Sequence, residues 1–177
     1  MSKIRFLHVK KEYIDFLKLA DNKVQNNYDN SAHQKPYISG ITIEVNGKPY
    51  LAPLTSYKES YENRAEKVIF KIVKTYEKKP PEMLGVILLN NMIPLIDDVA
   101  LNIDFNQCDK HYANLLTKQY RCLSNREAIE KINKIANTVY KEVTEHQNPF
   151  FMSLSCDFKK LEEAAKQYIC LLYTSPS

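Results

Sequence analysis

Between Ile41 and Leu54 the chain reads "ITIEVNGKPYLAPL". Ile41, Ile43 and Val45 alternate with Thr42, Glu44 and Asn46, the period of a strand with one buried face. Asn46-Gly47 then supplies the dipeptide best suited to a tight hairpin turn. The arm Tyr50 to Leu54 is therefore predicted to return antiparallel to the first. Pro53 has no N–H to give to a ladder, so it marks an edge, a bulge or a strand end.

The same period recurs on both sides. "IRFLHV" (4–9) and "VIFKIVKTYE" (68–77) read as strands, as does "VALNIDF" (99–105). "MLGVILLNNMIPLI" (83–96) holds a continuous buried run, and Pro80-Pro81 prevents any helix from joining it to the strand before. "KKEYIDFLKLAD" breaks the pattern early, setting Tyr13, Phe16, Leu17 and Ala20 on one helical face. Residues 22–34 are polar and Asn-rich, a long loop.

Beyond about residue 110 the period becomes helical. Tyr112, Leu115, Leu116 and Leu123 share a face, and Ser124 with Glu127 has the form of a capping box. Ile129, Ile132, Ile135, Ala136, Val139 and Val143 form the next stripe, which His146 to Pro149 ends. A last helix from about Asp157 buries Phe158, Leu161, Ala165 and Ile169. The expected fold class is α+β: hairpin-linked antiparallel strands, then segregated helices, two of them packed on one side of the sheet. The tail "CLLYTSPS" does not continue the helical pattern. It reads as a translated cloning scar, so the domain is set at 1–170 and 171–177 are set aside as non-native.

Composition narrows the class. Hydrophobic residues make up 44% of the 177, enough for a core. No apolar run is as long as a membrane span and the N-terminus lacks a signal-peptide core, so a cytoplasmic protein is expected. Cys108, Cys122, Cys156 and Cys170 lack zinc or redox spacing and read as reduced thiols. His8, His33, His111 and His146 form no metal-binding pattern, so no metal or other cofactor is expected. Residues 1–80 carry 15 Lys/Arg against 9 Asp/Glu; the rest carries 10 against 12. A basic half beside a mildly acidic one suits a polyanion on one side.

The sharpest local question lies in "YLAPLTSYK" (50–58). Strand physics accounts for Tyr50 to Leu54 but not for Thr55, Ser56 and Lys58. Either the hydroxyls bond their own backbone in a turn, or they and the ammonium serve a phosphoryl group together.

Lys35–Ile38 ("KPYI"), Ile41–Glu44, Tyr50–Ser56 with Lys58, and Leu84–Leu95 ("LGVILLNNMIPL") resemble, in this order, the ToxN/AbiQ family. These are toxins of type III toxin–antitoxin systems. The resemblance is clear over roughly the first hundred residues. It implies a compact twisted antiparallel sheet like that of the MazF and Kid toxins, flanked by helices. It also implies a metal-independent endoribonuclease that leaves 2′,3′-cyclic phosphate and 5′-OH ends. Its inhibitor would be a structured, pseudoknotted RNA cut from tandem repeats, closed with the toxin into a hetero-oligomeric assembly. Cellular or phage mRNA would be the substrate, and phage defence or plasmid maintenance the role. Carried over by residue, Ser56 and Thr55 position the phosphate and Lys58 and Lys35 stabilise its charge. Tyr13 stacks or hydrogen-bonds. Ser39 looks like an added residue between Lys35 and Gly40, which makes the register at Lys35 uneven. Lys10, Lys11, His33, Tyr57, Tyr61, Arg64 and Lys67 are the RNA-binding candidates. The same basic surface would suit a non-catalytic RNA-binding module, and an exposed hairpin edge would suit a protein-interaction domain.

Overall fold

The computed structural model describes residues 4–25, 37–64 and 66–174. The chain opens with strand β1 (Phe6–Lys10) and helix α1 (Lys11–Ala20), followed by the predicted hairpin of β2 (Tyr37–Val45) and β3 (Lys48–Thr55). Asn46 and Gly47 both take positive φ, 52° and 73°, as a two-residue hairpin turn requires. After a 3₁₀ turn (Glu59–Tyr61) come β4 (Ile69–Lys74), β5 (Glu82–Leu88), the short β6 (Ile93–Pro94) and β7 (Ala100–Asn102). The rest is helical: α2 (Lys110–Leu123), α3 (Arg126–Thr144), α4 (Pro149–Leu154) and α5 (Phe158–Thr174). The α+β expectation holds. All pairings are antiparallel and the strands run in the order β4-β5-β3-β2-β1-β7, with β6 pairing β3.

The hairpin lies in the middle of this sheet, not at an edge. β4 and β7 are the outer strands, so the strand-addition reading is corrected: β2 and β3 have partners on both sides. Pro53 lies inside β3 and not at a sheet edge, but it ends the ladder with β2. It faces Gly40 on the last rung shared by β2 and β3. Beyond it the strands part. β3 turns to pair Leu54 with Ile87 and Thr55 with Val86, while β2 stays with β1, His8 facing Ser39 and Lys10 facing Tyr37. The β1–β2 ladder is unbroken from Phe6–Ile41 to Lys10–Tyr37, so Ser39 takes a regular place in it. The sheet thus forks where the quoted stretch ends.

One hydrophobic core runs from Ile4 to Ala165. The helices meet the sheet in two groups, not on one side as a pair. α2 packs on β4 and β5, whereas α3 packs on β2, and α5 on β6 and α1. Three local expectations change. The cap of α3 is Asn125, whose Oδ1 accepts the Ala128 N–H at 2.8 Å; Ser124 instead donates to the Tyr120 carbonyl of α2. Pro149 does not only stop α3. It opens α4 behind the Asn148 cap, since proline at the first helical position loses no hydrogen bond. Helix α5 runs on through Leu171–Thr174, although its last side chains are exposed, because extending an existing helix costs far less than starting one. No helix among the described residues is long and apolar enough to cross a membrane. The four cysteines form no disulfide, and burial pushes the Cys156 thiol up to about 12.

Candidate active site

Thr55 is the last residue of β3 and half-buried; Ser56 and Lys58 follow it and are exposed. The Thr55 and Ser56 hydroxyls and the Lys58 ammonium hydrogen-bond no described residue. A turn held by its own Ser or Thr side chains would have used them. The turn is made by the backbone instead, with the Tyr61 N–H donating to the Lys58 carbonyl at 2.9 Å. Among the described residues, two hydroxyls and a cation at the mouth of the fork have donors that nothing takes up.

The wall behind Thr55 is tight. A Cβ on Gly85 of β5 would lie 3.0 Å from the Thr55 carbonyl and 2.8 Å from Gln119 Nε2 of α2. Gly85 also has φ +156°, so a side chain is excluded twice over. Gln119 is buried and donates to the Leu84 carbonyl at 2.7 Å. It thereby fixes α2 against the strand that holds Thr55 in register.

The other predicted residues divide. Tyr13 is not brought to this end. Its side chain is 0% exposed, and its phenol donates to the Pro94 carbonyl at 2.6 Å. Pro94 faces Tyr50, and Tyr50 lies five residues before Thr55, roughly 16 Å along the strand. Burial pushes the Tyr13 phenol far above its usual range. The physical reason is its place at the head of an amphipathic helix: the face that packs on the core takes the ring, and a buried phenol needs an acceptor. His33 and Lys35 lie outside the described residues.

Lys10 ends β1 and is exposed, on the fork arm that also carries His8; Lys11 begins α1. Tyr57 and Tyr61 are half-buried against the core, so only part of each ring is open to a base. The Arg64 guanidinium lies 5.2 Å from the Tyr61 ring centre and the Lys67 ammonium 5.7 Å from that of Phe150. Both cations are exposed and held over aromatic faces.

Sequence reasoning missed a second polar cluster. His8 Nδ1 and Ser39 Oγ are 2.9 Å apart, and Ser39 Oγ is 3.2 Å from the Tyr112 hydroxyl of α2. The irregular spacing at Ser39 was its only trace in the sequence. A cavity of about 710 Å³ elsewhere, between α1 and the ends of α3–α5, is lined by Lys18, Lys23, Lys159 and Lys160 with Asp21 and Asp157. None of the expected catalytic residues lines it.

The model of the family described as "Toxin ToxN, type III toxin-antitoxin system" matches residues 5–166. The chain belongs to this family. Endoribonuclease ToxN of Bacillus thuringiensis subsp. kurstaki is 36% identical over 172 residues, covering 93% of this chain and 84% of the relative. Endoribonuclease ToxN of Pectobacterium atrosepticum is 32% identical over 167 residues, covering 93% and 94%. A solved structure superposes with a TM-score of 0.78 at 31% identity, covering 94% of this chain and 98% of the other. It was described in work on type III toxin–antitoxin systems and selective toxin inhibition by a non-coding RNA pseudoknot. The likeness extends well past the hundred residues legible in the sequence, into the helical half.

Proposed function

We propose that the chain is the toxin of a type III system, a sequence-specific endoribonuclease that cuts RNA without a metal ion. The observation that carries this is the set of donors on Thr55, Ser56 and Lys58 that no described residue takes up at the fork, in the stretch that carries the resemblance to the family.

In the proposed reaction, the 2′-oxygen of one nucleotide attacks the adjacent phosphorus. A P–O2′ bond forms and the P–O5′ bond breaks. The proton leaves O2′, and one is delivered to O5′, giving a 2′,3′-cyclic phosphate and a 5′-OH. Negative charge builds on the phosphoryl oxygens as phosphorus becomes five-coordinate. The Ser56 and Thr55 hydroxyls donate to those oxygens and fix the phosphate, and the Lys58 ammonium offsets the charge. Lys35, two residues ahead of β2 in sequence, is assigned the same electrostatic role. A weakly screened ammonium gains most from charge that appears only in the transition state.

The partner RNA follows from the same reading: a pseudoknotted repeat unit, cut from a tandem-repeat transcript by the toxin and bound in a closed protein–RNA assembly. The basic N-terminal half supplies the field for it. The setting is the cytoplasm, in phage defence or plasmid maintenance, with cellular or phage mRNA as the free toxin's substrate.

The test is to purify the protein from cells holding the whole locus and map the ends of the RNA that comes with it. Cleavage is then repeated in excess EDTA. A uniform repeat-length RNA with a cyclic phosphate end, produced in EDTA, is expected. Heterogeneous uncut RNA would reduce the chain to a binding module.

A further inference from the structure

We propose that His8, Ser39 and Tyr112 form a nucleobase-recognition subsite of the cleavage groove, on the fork arm opposite Thr55 and Ser56, and that it selects a base flanking the cut. The proposal rests on the ribonuclease reading above and goes beyond it by naming what sets the sequence preference.

The placement comes from register. Counting on from the last shared rung, Gly40–Pro53, Ser39 and Leu54 fall on the same face of the sheet. His8 faces Ser39 across β1 and β2, so it shares that face. Leu54 lies toward α2: a Cβ on Gly85 would touch both Gln119 and the Leu54 side chain. Helix α2 therefore bridges the fork. Gln119 sits over the β3–β5 arm, and Tyr112 reaches Ser39 on the β1–β2 arm. Those two residues are seven apart, two turns and about 10 Å along the helix. A few nucleotides of single-stranded RNA span such a distance, so a strand held on the β3–β5 arm can reach the cluster.

The chemistry separates the two arms. Phosphate oxygens only accept hydrogen bonds, and Thr55, Ser56 and Lys58 offer donors. The cluster has a different chemistry: an imidazole, a hydroxyl and a phenol, groups that both donate and accept, with two aromatic rings among them. That combination fits the mixed donor–acceptor edge and flat face of a base, which is how single-stranded RNA is read. All three side chains are half-buried, so the cluster is built into the fold while part of it stays accessible. Ser39 gives the odd spacing ahead of Gly40 a purpose: its hydroxyl links the histidine to the tyrosine.

The test uses the full chain on an RNA pool with randomised sequence, with fragment ends mapped by sequencing. Wild type, Ser39→Ala and Tyr112→Phe are compared, with thermal unfolding alongside. Tyr112→Phe keeps the ring and removes only the hydroxyl. The expected result is that the variants still cut, while preference at one motif position next to the cut falls by about 10-fold, the size of one good base contact. An unchanged motif with a uniformly slower rate would overturn the proposal and leave the cluster a structural link. If the wild type itself leaves the pool intact, the ribonuclease reading fails and takes this subsite with it.

Discussion

The two ends of β3 treat their polar groups in opposite ways. At the start of the strand, Tyr50 is 0% exposed and its phenol donates to Glu162 Oε2 at 2.8 Å. Tyr140 of α3 donates to the same oxygen at 2.7 Å, and Lys48 pairs with Oε1 at 2.6 Å. Phe158 packs against both tyrosine rings. One carboxylate on α5 thereby ties the hairpin to two helices. Burial works against its charge, but Lys48 and the two phenols outweigh that and hold the carboxyl below the ordinary glutamate range. At the other end, Thr55, Ser56 and Lys58 have no such partners among the described residues. The first end spends its hydrogen bonds on the fold; at the second, no described residue takes them up. The contrast separates residues that should matter for stability from those that should matter for cleavage.

The largest expected effect is at the open end. Ser56→Ala should lower the cleavage rate by about 100-fold or more, the usual loss when one donor to a developing oxyanion is removed. Its melting temperature should stay within a degree or two, since the hydroxyl bonds no described residue of the fold. Equal activity in the variant would remove the serine from the site.

Gly40→Ala tests the joint between the ends. A Cβ there meets the Ala52 carbonyl and lies 2.9 Å from Leu51 Cγ, so β2 and β3 would have to separate at the fork. A loss of about 3 kcal/mol is expected from denaturant titration, with cleavage falling in step as the rung that sets the fork opens.

Glu162→Ala attacks the closed end. It leaves two buried phenols without their acceptor and should cost about 2 kcal/mol, with cleavage by the folded fraction unchanged. The pH dependence has a definite sign. The Glu162 carboxyl is lowered in the folded state from 4.5, so the unfolded chain takes up the proton first as the medium is acidified. Its contribution is complete above that value and disappears as pH falls through the lower, folded one. The gap in melting temperature between wild type and Glu162→Ala should narrow on acidification below about 4.5. A gap that stays constant to pH 3 would assign the cluster to packing alone.

Tyr13→Phe is the smallest. Losing the bond to the Pro94 carbonyl should cost about 1 kcal/mol and leave cleavage as it is. A selective loss of cleavage with stability unchanged would return Tyr13 to the site.

Most of the architecture was legible. The Asn46-Gly47 turn, the change of period near residue 110 and the stripe of α3 are local signals. Ile132, Ile135, Ala136, Val139 and Val143 are buried as their spacing predicted. Boundaries failed where two local signals competed, as with Ser124 against Asn125 and at Pro149. At the candidate site, Thr55, Ser56 and Lys58 were legible because they are neighbours in sequence and follow a strand whose pattern does not explain them.

Their context was not legible. The Tyr50–Glu162 pair spans 112 residues and the Ser39–Tyr112 pair 73, and no period connects such positions. Tyr13 shows the same limit. Its sequence position allowed either core or site, and only the packing of α1 settled where the phenol points. The sequence by itself determined which segments are strands or helices and which short motif strand physics leaves unexplained, because hydrophobic period and turn chemistry act over a few residues. The tertiary structure decided where β2 and β3 part, which helix spans the gap, and which polar groups are spent on the fold. Those outcomes depend on contacts between distant segments, and such contacts form only when the whole core closes.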